Sequence, residues 1–240
     1  MTRDVWLLTI LALLGAYNAG VLWLAQISGY PLWRLVGQGN FPDYYATWSV
    51  SAVVLISAPM LLSLAASATA LWTRPAGISD RTLWVEFMLQ LVAVALTMPW
   101  LAPAAKHLIT VDGSLNPRAF AGFLRLSWVR VVLITFYACL CWQMLGSTLW
   151  PSEPGPAQVK GWLLLLTVAC GVVSTAQVWM VQTLAYKVWP NVGTSAFYDY
   201  HLAWWHSIWI SIFMPAGATL IGVVALLWWH PAHTDMRLVW

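Results

Sequence analysis

Charge is what this chain has least of. Asp, Glu, Lys and Arg make up 8% of its 240 residues, against 61% hydrophobic residues and a mean hydropathy of +0.73. That is too little polar material to cover a water-soluble globule of this length, so the chain belongs in a lipid bilayer. Its net charge of +3 comes from scattered residues. Without a polybasic run there is no electrostatic footprint for nucleic acid or anionic lipid. Cysteine is scarce as well, and Cys139, Cys141 and Cys170 all fall in apolar runs, where isolated thiols suit packing better than a disulfide framework. No H-E-x-x-H, C-x-x-C or Glu-x-x-His pattern occurs, so no metal site is predicted, and no motif identifies a cofactor.

What the chain does have is long apolar runs, each close to the ~20 residues that cross the hydrocarbon, at about 5–27, 49–73, 83–102, 126–149, 161–186 and 202–229. They are continuously apolar and rich in Leu, Ala and Val, unlike the alternating ~10-residue strands of a barrel. The expected fold is therefore all-α: an integral membrane bundle of six transmembrane helices, forming one domain over residues 1–240. Tryptophan is abundant, with 19 copies, and many stand near predicted helix ends, where the ring suits the headgroup level.

One passage is written twice. WLAQISGYPLWRLVGQGNFPDYYATW, from Trp23 to Trp48, returns 156 residues later as WMVQTLAYKVWPNVGTSAFYDYHLAW, from Trp179 to Trp204. Without a gap, ten of 26 positions agree, among them Gln26/Gln182, Tyr30/Tyr186, Trp33/Trp189, Gly37/Gly193, Asp43/Asp199 and Tyr44/Tyr200, where composition alone gives roughly two. The offset continues to Pro59/Pro215 and Trp72/Trp228. We read a duplicated unit, with copies at about 18–73 and 174–229 and helices three and four (83–149) between them. An offset of four spans gives both copies the same direction, so the predicted repeat is parallel, about an axis near the membrane normal. Each copy carries an aromatic connection of about 15 residues. Gly37 and Gly193 suit turns needing positive φ, and Asp43 and Asp199, just before the next helix, suit its N-terminal end.

Candidate chemistry gathers on the face reached after helices one, three and five. Arg130 is expected at about the second turn of helix four, where a charge must face the interior or snorkel. Its expected partners are Asp43, Asp199 or an anionic or carbonyl group of a ligand. His201 and His206 occur in the second copy only, opposite Tyr45 and Val50, and titrate near neutral pH. With Arg130 they form the candidate catalytic set. Asp43, Asp199, His107, Gln26, Gln182, Tyr30 and Tyr186 are candidate ligand-binding groups, and each Gln shares a helix face with the Tyr four residues on. Lys106, Asp112, Arg118 and Arg125 are expected on the same side. Glu86 is expected near the opposite interface or paired with Arg81.

The aromatic passage YPLWRLVGQGNF after helix one and FLRLSWVRVVLITFYACLCW opening helix four, with Trp128 and Arg130, resemble the anthrone-oxygenase-like membrane proteins over about the first 150 residues. The resemblance implies a helical bundle whose lipid-accessible pocket acts on a hydrophobic aromatic compound without an obvious organic cofactor. The functional expectation is a small-molecule site at one end of the bundle, as in a membrane oxidoreductase. The alternatives are an accessory subunit of a larger membrane complex or a small transporter. Expected partners are the bilayer, a hydrophobic small molecule or a membrane-protein partner. Basic residues divide evenly between the two faces, so the positive-inside rule gives a tie, and the N-terminus is placed on the cytoplasmic side of the cell membrane because the other face carries the ordered, aromatic connections, whose basic residues suit binding.

Overall fold

Among the described residues nearly everything is helical and no strand longer than an isolated bridge forms. The computed structural model describes residues 2–37, 39–98, 107–150 and 156–229. The six long elements are α1 (Arg3–Leu35), α2 (Phe41–Thr73), α3 (Asp80–Leu96), α4 (Pro117–Leu149), α5 (Gln158–Asn191) and α6 (Phe197–Trp228). Five of them are long and apolar enough to cross a membrane. The exception by length is α3, with 17 residues.

Two boundaries differ from expectation for local reasons. The run predicted to begin at 126 begins at Pro117, because Asn116 caps it: its side chain accepts from the backbone N–H of Arg118 and Ala119, and Pro117 occupies the first turn, where a missing N–H costs nothing. The aromatic connections expected between spans are largely helical. The backbone of α1 continues through a π turn at Ala25–Gly29 and a 3-10 stretch at Tyr30–Leu35, with α2 starting at Phe41.

Further π turns lie at Val53–Ser57 in α2, Val181–Ala185 in α5 and Trp209–Phe213 in α6. These fall into two pairs separated by 156 positions, as do the α-helical stretches Phe41–Ala52 and Phe197–Ile208. The turns in α2 and α6 just precede Pro59 and Pro215. Proline has no N–H and clashes with the carbonyl four residues earlier, and a widened turn relieves that clash. In α2 the carbonyl concerned, Leu55, accepts instead from the Tyr17 hydroxyl at 3.2 Å.

The hub is α1, which packs on α2, α4 and α5, while α3 packs on α2 and α4, and α6 packs on α5. In lipid, close helix approach depends on small residues, because hydrocarbon solvates apolar faces as well as a neighbour does. Gly20 shows this: a Cβ there would lie 2.9 Å from the Val173 carbonyl oxygen of α5. The ends of the pairs interleave, with the start of α2 against the end of α5 and the start of α6 against the end of α1. At that junction Tyr44 and Tyr200 share a buried hydroxyl hydrogen bond of 2.9 Å. Gly37 and Gly193 also meet there, a Cβ on Gly37 lying 3.6 Å from Gly193 Cα. Neither has positive φ among the described residues. The expected left-handed turn is therefore absent at both, and a Cβ would be crowded only at Gly193, 3.2 Å from Asn40 Oδ1, while at Gly37 it would make ordinary contacts.

Candidate functional site

Arg130 lies well inside α4, deeper than the second turn because the helix starts earlier than predicted, and it is 3% exposed. Its Nη2 donates to the Tyr30 hydroxyl at 2.8 Å and to Ser127 Oγ at 3.2 Å. Ser127 is one turn earlier on the same face, which places its hydroxyl under the guanidinium. Tyr30 comes from the 3-10 end of α1 and is wedged among Trp33, Trp48 and Phe123, with ring centroids 5.1, 5.5 and 4.9 Å away. Neutral hydroxyls therefore hold the guanidinium. Asp43 and Asp199 are exposed and lie within the first turns of α2 and α6 rather than before them. Gln26 is buried one turn before Tyr30. Gln26 Oε1, Arg130 Nε and the indole N–H groups of Trp33 and Trp48 have no hydrogen-bond partner among the described residues.

The other predicted residues stand apart from this centre. Gln182 and Tyr186 are on the outer surface of α5. His201 is exposed and packs against Trp189, Phe197 and Trp204. His206, also exposed, donates through Nδ1 to the Leu202 carbonyl at 2.8 Å. His107 is exposed at the start of a small hairpin closed by the Ile109–Leu115 bridge. In that hairpin the hydroxyls of Thr110 and Ser114 donate to Asp112 and hold its carboxyl below the usual range. Arg118 and Arg125 are exposed on α4, and Lys106 lies outside the described residues. No group of three or more His, Cys, Asp or Glu side chains could hold a metal ion among the described residues.

Two features are built from residues outside the predicted site. The first is a cavity of about 600 Å³ between α1, α4, α5 and α6, walled by Gly20, Trp23, Trp142, Trp162, Val173 and Gln177 among others. Its surface is carbon almost throughout, and Cys139, Gln143 and Leu166 at its margin are exposed on the outside of the bundle. The small-residue stripe Ala16–Ala19–Gly20 was the legible signal, since small side chains leave the room that large ones on facing helices do not fill. A much smaller pocket at the junction is lined by Leu24 and Met180, Gly29 and Ala185, Tyr44 and Tyr200, and Trp48 and Trp204, each pair 156 positions apart.

The second is a polar seam between α1, α2, α3 and α4. Asn18 donates to Ser63 Oγ at 2.7 Å, Ser67 Oγ lies 2.6 Å from Glu86 Oε1, and Gln90 donates to the Met60 carbonyl at 2.7 Å. Glu86 is fully buried among helices, while Arg81 is exposed and makes no salt bridge with it. The spacing of Glu86 and Gln90, one turn apart on a helix otherwise rich in Leu and Val, was the available signal. Comparison with known proteins gives no match, whether to a family model, a curated protein or a solved structure.

Proposed function

We propose that this multi-pass membrane protein takes a hydrophobic small molecule from the bilayer into the cavity between α1, α4, α5 and α6. The observation that carries the reading is the cavity itself. Its volume of about 600 Å³ falls within the range of small-molecule sites, its walls are apolar and aromatic, and its margin reaches the lipid-facing surface. The resemblance to anthrone-oxygenase-like proteins extends the reading to oxidation of an aromatic compound, with the N-terminus on the cytoplasmic side of the cell membrane. The duplicated, parallel unit belongs to the same proposal. It is supported by the paired π turns, the Tyr44–Tyr200 bond and the paired lining of the junction pocket.

The test is extraction and mass spectrometry of lipophilic compounds that co-purify with the protein, beside a variant of Ala169, an α5 residue on the cavity wall, in which Ala169→Trp fills the space. A specific compound enriched over bulk lipid in the parent and lost in the variant is the expected result. Equal lipid profiles in both would remove the ligand site.

A second reading, an accessory subunit, is favoured by one observation. The aromatic face of Tyr186, Phe197 and His201 is exposed where the aligned face of the first copy is covered by Phe120, Phe123 and Arg130 of α4. Cross-linking from Tyr198 in native membranes separates the two, a defined membrane-protein adduct supporting the subunit and lipid adducts alone opposing it.

A further inference from the structure

Glu86 is the only buried acidic side chain among the described residues, and it has no cation beside it. The groups facing it are Ser67 from α2 and Tyr137 and Cys141 from α4, with Gln90 one turn along its own helix. All are neutral donors or amides. The nearest charges along the chain, Arg81 and the Arg74–Asp80 pair, are exposed, and Arg130 belongs to the separate cluster with Tyr30. A carboxylate anion without a counter-ion in such a site pays a desolvation cost of several kcal/mol, whereas the neutral acid avoids most of it.

The hydrogen-bond geometry agrees. Ser67 Oγ has one proton but lies 2.8 Å from the Ser63 carbonyl and 2.6 Å from Glu86 Oε1. If the carboxyl carries a proton it donates to Ser67 Oγ, and Ser67 in turn donates to the Ser63 carbonyl, so each short contact has its own hydrogen. As a carboxylate, Glu86 would have to share the single Ser67 proton with that carbonyl. Glu86 Oε2, Gln90 Oε1 and Asn18 Oδ1 are buried without partners among the described residues, and besides Ser67 a negative charge would have only the weak Cys141 thiol, 3.7 Å from Oε1, and the Tyr137 hydroxyl, itself 3.4 Å from Ser67 Oγ, to draw on.

We propose that Glu86 is an intramembrane proton-binding site, its carboxyl holding an exchangeable proton at neutral pH against Ser67 on α2. The site is independent of the cavity and of any ligand there.

The experiment treats the full-length protein in lipid nanodiscs with dicyclohexylcarbodiimide, a hydrophobic reagent for protonated acids. The acid adds across a C=N bond, its oxygen to carbon and its proton to nitrogen, and acyl migration leaves a stable N-acylurea with nothing lost. Peptide mass spectrometry should find the adduct on Glu86 at pH 7, with yield falling about tenfold per pH unit once pH passes the group's titration point. A water-soluble cationic carbodiimide should modify the exposed carboxylates instead. In parallel, the infrared difference between parent and Glu86→Gln should show the carbonyl band of a carboxylic acid, shifting in D2O. Carboxylate bands in that difference would overturn the proposal, and so would protection of Glu86 by sodium ions, which would make it a metal-cation site. Should Glu86→Gln not fold, labelling of the parent decides alone: adducts confined to exposed carboxyls reject the proton site.

Discussion

Tyr30 and Tyr186 occupy equivalent places in the two written-out passages, yet Tyr30 is 1% exposed and Tyr186 40%. The same division holds for Phe41 and Phe197 and for Gln26 and Gln182, the first member of each pair buried and the second exposed. Similar residues on similar backbones therefore have different environments, and the difference has one source. The long helix α4 brings Phe120, Phe123 and Arg130 over the first passage, and among the described residues no element does so for the second. In a bilayer this matters for polar atoms above all, since an apolar ring loses little by facing lipid, whereas a hydroxyl or amide needs a partner.

The sharpest way to break the comparison is to truncate the equivalent tryptophans. Trp33→Ala opens a void among Tyr30, Phe41, Trp48 and Phe123 and should cost about 3–5 kcal/mol. Trp189→Ala, half covered, should cost clearly less. Equal losses in detergent-unfolding titrations would show that the second passage is packed as tightly as the first.

Next in size is the arginine contact. Tyr30→Phe removes the closer of the two acceptors of a buried guanidinium and should destabilise by about 1–3 kcal/mol, while Tyr186→Phe should stay within ~0.5 kcal/mol. Arg130→Met, which removes the charge and keeps most of the volume, should cost less than Arg130→Ala, because both leave the Tyr30 hydroxyl without its donor and only the latter adds a void. The reverse order in unfolding titrations would mean that the surroundings close around the smaller side chain and that filling the volume of Arg130 does not stabilise the fold.

The shared hydroxyl pair tests whether the passages depend on each other. Tyr44→Phe and Tyr200→Phe should each cost ~1 kcal/mol and the double variant little more than either alone, since both remove the same bond. Strict additivity in a double-mutant cycle would show the two rings to be independent.

The smallest effect is expected where the two aligned passages differ in residue type. His201→Gln and His206→Gln alter exposed side chains and should change stability by ~0.5 kcal/mol or less, with cavity occupancy unaltered in the mass-spectrometric assay. Loss of the bound compound in either would move the site to the outer face of α6.

The distribution of side chains along the chain was enough to mark the long apolar helices, the 156-residue offset between the two passages and Arg130 as a charge within an apolar run, because hydropathy and repetition are properties of residue order. The proline-linked π turns were half legible: Pro59 and Pro215 announced an irregularity, though not its form. Only tertiary structure decided which copy is covered, what meets Arg130 and where Glu86 sits. Tyr30 lies 100 residues from Arg130 and Ser67 lies 19 from Glu86, and each pair is made by how three or four helices cross. In lipid, that crossing depends on small residues such as Gly20 against Val173, a fit of surfaces that no local pattern in the sequence encodes.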